Sequence, residues 1–179
     1  MDGLLDTFDT QLSYFSAKVV MRFPPASVEM IDAAESKLSC QLSPQYRAFL
    51  QRYNGIHIVE VTLFGVPALD PRIKLVSANL VKVNTVLRDS SLDWPNDWLC
   101  LGGDGFGNFY VASLHRTNAH EEYPILFVEH DTLEVEHCDF AAGYFDFLFR
   151  VLTQMHTLYL PNGRLKELTR DLVGHLASA

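Results

Sequence analysis

The amino-acid sequence predicts an α+β fold, with a central, mainly antiparallel sheet of about five or six strands flanked by helices. Three observations lead there. Two serine-initiated helical stretches lie in the first third of the chain, at Ser27 and at Ser43-Pro44. Between residues 57 and 138, β-branched and aromatic runs alternate with tight turn signals, and strands joined by short turns pair as antiparallel hairpins. Strong helical spacing then returns over residues 140–158.

The elements follow in chain order. Residues 4–19 carry Leu4, Leu5, Phe8, Leu12, Phe15 and Val19 at helical spacing, a short leading helix. Pro24-Pro25 stops it and forces extended backbone. Ser27 is an N-cap signal, followed by Glu29, Asp32 and Glu35, with Ile31, Ala34 and Leu38 as the inward stripe. Ser43-Pro44 repeats the start signal, Tyr46, Phe49, Leu50 and Tyr53 face inward, and Asn54-Gly55 ends that helix. Residues 57–64, HIVEVTLF, alternate as one strand ending at Gly65. Residues 77–87 return to helical spacing, with Ser77 as the cap and Leu80, Val83 and Leu87 on one side. Residues 94–101 and 108–114 form two strands around GGDGFGN. A second hairpin pairs 124–130 with 133–138 about a turn near Asp131-Thr132. Phe145, Leu148, Phe149 and Leu152 mark the long helix, which Pro161-Asn162-Gly163 breaks. Leu165, Leu168, Leu172 and Leu176 line a last one.

Composition bounds the function. The 179 residues are 48% hydrophobic and 20% charged, enough to bury a core and too apolar for a disordered chain. Fourteen basic against 22 acidic residues leave a net charge of -8, which opposes direct binding to a phosphate backbone. A basic protein partner is the natural expectation. Cys40, Cys100 and Cys138 are widely spaced and contain no CxxC pair, so they read as free thiols of a reducing compartment. Acidic residues stand where a signal peptide carries basic ones, and no window approaches a membrane span. The sequence therefore reads as cytoplasmic, with no membrane partner.

Several segments taken in order resemble one family. They are Pro24-Pro25-Ala26-Ser27, the stretch from Leu42-Ser43-Pro44 to Asn54-Gly55, Leu63-Phe64-Gly65, the turn from Leu101 to Tyr110, and Phe145-Asp146-Phe147-Leu148. In that spacing they resemble the SUKH superfamily, which includes fungal cell-wall-assembly regulators of the Smi/Knr type. The resemblance covers roughly residues 22–152, leaving 1–21 and 153–179 as N- and C-terminal helical extensions. It implies an α+β domain without a shared catalytic residue. Its bacterial members imply an immunity protein that neutralises a toxin, often a nuclease, and its fungal members a regulatory scaffold.

No motif competes with that expectation. GGDGFGN lacks the lysine and threonine of a phosphate-binding loop and precedes a strand, so Gly102, Gly103, Asp104, Gly105, Gly107 and Asn108 read as a structural turn. His115, His120, His130 and His137 cluster with Glu121, Glu122, Glu129 and Cys138, but no HExxH or HxH spacing fixes two ligands, and no metal or other cofactor is assigned. There is no GxSxG elbow, and no catalytic residue is assigned. Asp93 and Asp97 flank Trp94-Pro95 as a solvated loop anchored by Trp94 and Trp98. The acidic loops are the signal that remains. Asp89, Asp93, Trp94, Asp97, Asp104, Glu121 and Glu122 are the candidate partner-binding residues, facing a basic toxin domain without direct nucleic-acid contact.

Overall fold

The structure is a computed structural model that describes residues 2–68, 78–90 and 93–167, with the backbone alone for 136–139. Its centre is one antiparallel sheet whose spatial order follows chain order: β1 (Val20–Arg22), β2 (Ile56–Ile58), β3 (Val61–Leu63), β4 (Trp98–Gly103), β5 (Phe109–Ser113), β6 (Ile125–Val128) and β7 (Val135–Ala141). Five helices accompany it among the described residues: α1 (Asp2–Leu12), α2 (Val28–Leu38), α3 (Pro44–Arg52), α4 (Leu80–Asp89) and α5 (Tyr144–Leu158). The α+β class and the antiparallel sheet are as the sequence predicts.

Seven strands exceed the expected five or six for two local reasons. The HIVEVTLF run breaks at Val59, whose φ of 55° turns the chain, so that Ile56 pairs with Leu63 and Ile58 with Val61. A β-branched residue there is strained. The Val59 N–H donates to the Val19 carbonyl at 2.9 Å, which fixes the turn from outside. That same contact draws Val20–Arg22 in as an edge strand beside β2, just beyond the segment expected to be helical. The leading helix ends at Leu12.

Local chemistry explains the other helices. Ser27 Oγ accepts from the Met30 N–H at 3.3 Å, and Ser43 Oγ from the Tyr46 N–H at 3.4 Å with Pro44 in the first turn. The fourth helix is capped by Asn79, which accepts from the Lys82 N–H at 3.0 Å, whereas Ser77 lies outside the described residues. Phe140 falls in β7, and the long helix starts at Tyr144. Leu165 bridges back to Tyr159 instead of starting a helix, and Leu168, Leu172 and Leu176 lie outside the described residues.

The core is one cluster that runs from Leu5, Phe8 and Leu12 of α1 through Tyr46 and Phe49 of α3 to Tyr144, Phe147 and Leu148 of α5. Tyr46 and Tyr144 rings lie 4.4 Å apart, and Phe8 meets Tyr53 and Phe149 at 5.7 and 6.3 Å. Two buried asparagines complete the sheet. Where β3 ends, Asn84 stands in for a strand: its Oδ1 accepts from the Cys100 N–H at 2.8 Å and its Nδ2 donates to the Cys100 carbonyl at 2.9 Å. Asn54 does the same for Val66, at 2.8 and 3.1 Å.

Two predictions follow from these groups. Asn84→Ala leaves the Cys100 backbone groups buried without partners, so urea unfolding is expected to show a loss of about 2–4 kcal/mol. Burial also pushes the Cys100 thiol up to about 12. An unfolded thiol ionises near about pH 8.5, so the folded state keeps a proton that the unfolded state loses. The contribution is complete below that pH and is lost as pH rises toward 12. The fall in stability across this alkaline window is expected to be shallower, by one proton, in Cys100→Ala.

Candidate partner-binding site

Because the sheet is a meander, its alternate turns gather at one end. Val59-Glu60 joins β2 to β3, residues 104–108 join β4 to β5, and residues 129–134 join β6 to β7. The middle turn is built from its own side chains. Asp104 Oδ1 accepts from the Phe106 N–H at 2.8 Å and the Asn108 N–H at 3.1 Å, and Oδ2 accepts from Asn108 Nδ2 at 2.9 Å. Gly105 and Gly107 take φ of 85° and 108°. Both also sit against their neighbours: a Cβ on Gly105 would stand 2.6 Å from the Glu60 carbonyl, and one on Gly107 3.0 Å from the His130 ring. His130 in turn donates its N–H to Asn108 Oδ1 at 3.4 Å. The three turns are thus interlocked.

At the tip, Phe106 is 71% exposed. Beside it a groove of about 430 Å³ opens between the C-terminal half of α5 and the sheet. Val61, Tyr110, Phe127, Phe140, Met155 and Leu158 make its apolar walls, with Glu60 and Asp104 at the rim. Glu60 accepts from the Tyr159 hydroxyl at 2.6 Å.

Charge is distributed unevenly. On the helices, Arg52 meets Asp6 and Asp9 at 2.7 and 2.6 Å, which raises its pKa, and Arg22 meets Asp9 at 3.1 Å. Arg47 holds Asp32 at 2.8 Å and Glu35 at 2.5 Å. At the turn end, Glu60, Asp104, Glu129, Asp131 and Glu134 have no lysine or arginine partner among the described residues. The hydroxyl of Thr132 holds Glu129 below its ordinary carboxylate pKa. Glu129, His130 and Asp131 bring ligand atoms within 4.8 Å of one another. Each is already engaged: Glu129 by Thr132, and His130 by Asn108 through Nδ1 and by Asp131 through Nε2. The trio reads as part of the turn network.

The seven residues singled out by sequence do not form one surface. Asp97 and Asp104 flank opposite ends of β4, roughly 20 Å apart for a strand of that length. Asp89, Asp93 and Glu121 are exposed and lie away from the turn end, and Asp97 pairs with His115 at 2.6 Å. Trp94 is only 6% exposed and meets Trp98 and Phe109 edge-on at 5.4 and 5.5 Å. Glu122 is 1% exposed and accepts from the Gln45 N–H at 2.8 Å and the Tyr144 N–H at 3.3 Å. These two are held inside the fold and offer a partner nothing, which leaves Asp104 on the turn end. Gly102 and Gly103 belong to β4, and the turn proper begins at Asp104. Sequence reasoning passed over Phe106, whose signal was an aromatic at the centre of a polar, glycine-rich turn, and Glu60, hidden in an apparent strand.

The turn gives a direct test. Phe106→Ala is expected to leave thermal stability within about 0.5 kcal/mol of the parent, as for an exposed side chain. Gly105→Ala, forced into a positive φ and against a backbone oxygen, is expected to lose about 2–4 kcal/mol.

Among the described residues no helix is long and apolar enough to cross a membrane. No curated protein matches the chain. The family model for SMI1 / KNR4 (SUKH-1) matches residues 25–146, a span that holds all of the sheet except β1, together with the Ser27 and Ser43 helix starts and the interlocked turns. SUKH proteins include toxin-immunity proteins and relatives of SMI1 and KNR4, generally act without catalysis, and bind protein partners. With more than two thirds of its length matched in the order the fold requires, the chain belongs to the SMI1/KNR4 family (SUKH-1).

Proposed function

We propose that the chain is a non-enzymatic immunity protein that neutralises a cognate secreted toxin by stoichiometric occlusion in the cytoplasm. The observation that carries this reading is the turn end, where exposed Phe106 stands among five carboxylates without arginine or lysine partners among the described residues. An aromatic anchor in a charged frame is the usual make-up of an energetic centre in a protein interface. The frame fits a basic surface, and a nuclease needs such a surface to hold nucleic acid. Occupying it would block the substrate without any chemistry by the inhibitor. A net charge of -8 speeds encounter with that partner and disfavours acidic ones.

Membership of a family defined by SMI1 and KNR4 favours a second reading, a regulatory scaffold with several cellular partners. Co-expression with the toxin encoded beside this gene separates the two. The parent protein is expected to rescue growth and Phe106→Ala to fail, with affinity reduced by about 2 kcal/mol or more. Asp131→Lys combined with Glu134→Lys is expected to slow association and flatten its salt dependence, leaving dissociation nearly unchanged. Equal killing with and without the parent protein overturns the immunity reading. Affinity capture of housekeeping proteins in place of a toxin would support the scaffold.

A further inference from the structure

The groove shares Asp104 and Phe106 with the exposed turn, and its walls specify what enters it. The sheet side is largely aromatic, and α5 contributes Met155 and Leu158 beside the polar Thr153, Gln154 and Thr157. Val61, Tyr110 and Phe127 stand on strands paired on both sides and only Phe140 lies on the edge strand β7, so an extended partner strand laid across this floor would leave most of its backbone groups buried without partners. A helix brings its backbone already bonded. The volume of about 430 Å³ lies in the range of ligand-sized cavities and takes a few large side chains from one helical face. Glu60 and Asp104 stand at the rim with neutral hydrogen-bond partners only: the Tyr159 hydroxyl for Glu60, and backbone and amide N–H groups for Asp104. Among the described residues, neither carboxylate forms an ion pair with lysine or arginine.

We infer that this groove receives one amphipathic helix of the protein partner, with its apolar face against Phe127, Phe140, Met155 and Leu158 and lysine or arginine residues toward Glu60 and Asp104. The inference rests on the proposed function, because it names how that partner engages the same end of the sheet. Phe106 closes one side of the groove, so a helix seated there also covers the exposed ring. An acidic rim turns away anionic lipid and acidic helices alike.

A synthetic probe tests it without the toxin. An amphipathic peptide of about 14 leucine and lysine residues at helical spacing is titrated into the full-length protein, beside a matching leucine and glutamate peptide. Fluorescence anisotropy gives affinity, and backbone amide shifts locate the contact. The lysine peptide is expected to bind and to shift Val61, Tyr110 and Phe127, while the glutamate peptide does not bind. Thr153→Trp and Thr157→Trp, at exposed positions on the α5 lip, are expected to fill the groove and weaken binding at least about tenfold. Glu60→Gln keeps an acceptor for Tyr159 and is expected to weaken binding about threefold, an effect that vanishes at high salt.

Equal binding of both peptides, shifts elsewhere, or unchanged affinity in both tryptophan variants overturns the inference. So does concentration-dependent dimerisation that Thr153→Trp abolishes, since the occupant would then be a second copy. A gain in peptide affinity from Leu172→Glu also overturns it, because the chain's own last residues would then be the occupant. With the toxin, full neutralisation by both tryptophan variants sinks the groove while the immunity reading stands. Failure of the parent protein to neutralise sinks the immunity reading, and the peptide titration still decides the groove.

Discussion

The carboxylate of Glu122 holds the helical layer to the sheet. It is buried, yet it faces two helix N-termini, accepting from Gln45 in the first turn of α3 and from Tyr144 at the start of α5. Helix starts present unsatisfied N–H groups and partial positive charge, so a carboxylate between two of them is stabilised by both. Gln45 adds a second link, with its Oε1 accepting from the Phe145 N–H at 2.7 Å. The loop that delivers Glu122 is itself tied to the start of α5, since Asn118 donates to the Ala142 carbonyl at 3.0 Å. Gly143 leaves the room, as a Cβ there would stand 3.0 Å from the Glu122 Cβ. Fixing both starts fixes how α5 crosses the sheet, and its far end parts from the strands to leave the groove.

That anchor separates two electrostatic regimes. Around α1, α2 and α3, Arg22, Arg47 and Arg52 are ion-paired with Asp6, Asp9, Asp32 and Glu35. At the far end of the sheet the hydrogen-bond partners of the carboxylates among the described residues are neutral donors or a histidine. Neutral donors keep a carboxylate ionised without cancelling its charge. Among the described residues, the carboxylates of Glu60, Asp104, Glu129, Asp131 and Glu134 thus gather without a lysine or arginine ion pair at the end of the sheet that carries Phe106.

What the sequence disclosed depended on the range of the chemistry. Ser27, Ser43 and Pro44 act on residues within one turn of a helix, and those starts were legible. Asn79 in place of Ser77 is the same chemistry displaced by two residues. HIVEVTLF misled because the alternation of a strand continues through Val59-Glu60, and nothing local announces a turn. Its cause is distant, the Val19 carbonyl and the tight packing of Gly163 against Val19 and Val59. Glu122 was illegible for the same reason. Beside Glu121 it looked like surface charge, and its partners lie 77 and 22 residues away. The acidic bias was visible from composition, but which acids are neutralised is a property of the fold.

The rigidity of the middle turn connects these points. An exposed phenylalanine on a flexible loop would fold back onto the apolar groove beside it, and both surfaces would be lost to a partner. Asp104 accepts three hydrogen bonds within the turn, and Gly105 and Gly107 press it against the Glu60 carbonyl and the His130 ring, which leaves the ring little freedom to collapse. The ordering entropy is thus spent in folding instead of in binding, which is how a small surface reaches high affinity. Asp104 serves twice in this arrangement, since the carboxylate that shapes the turn also carries charge at the groove rim. A neutral asparagine could keep part of the first role and would lose the second. The turn's geometry alone does not require the charge of an acid at this position, and the proposed basic partner would give that charge a role.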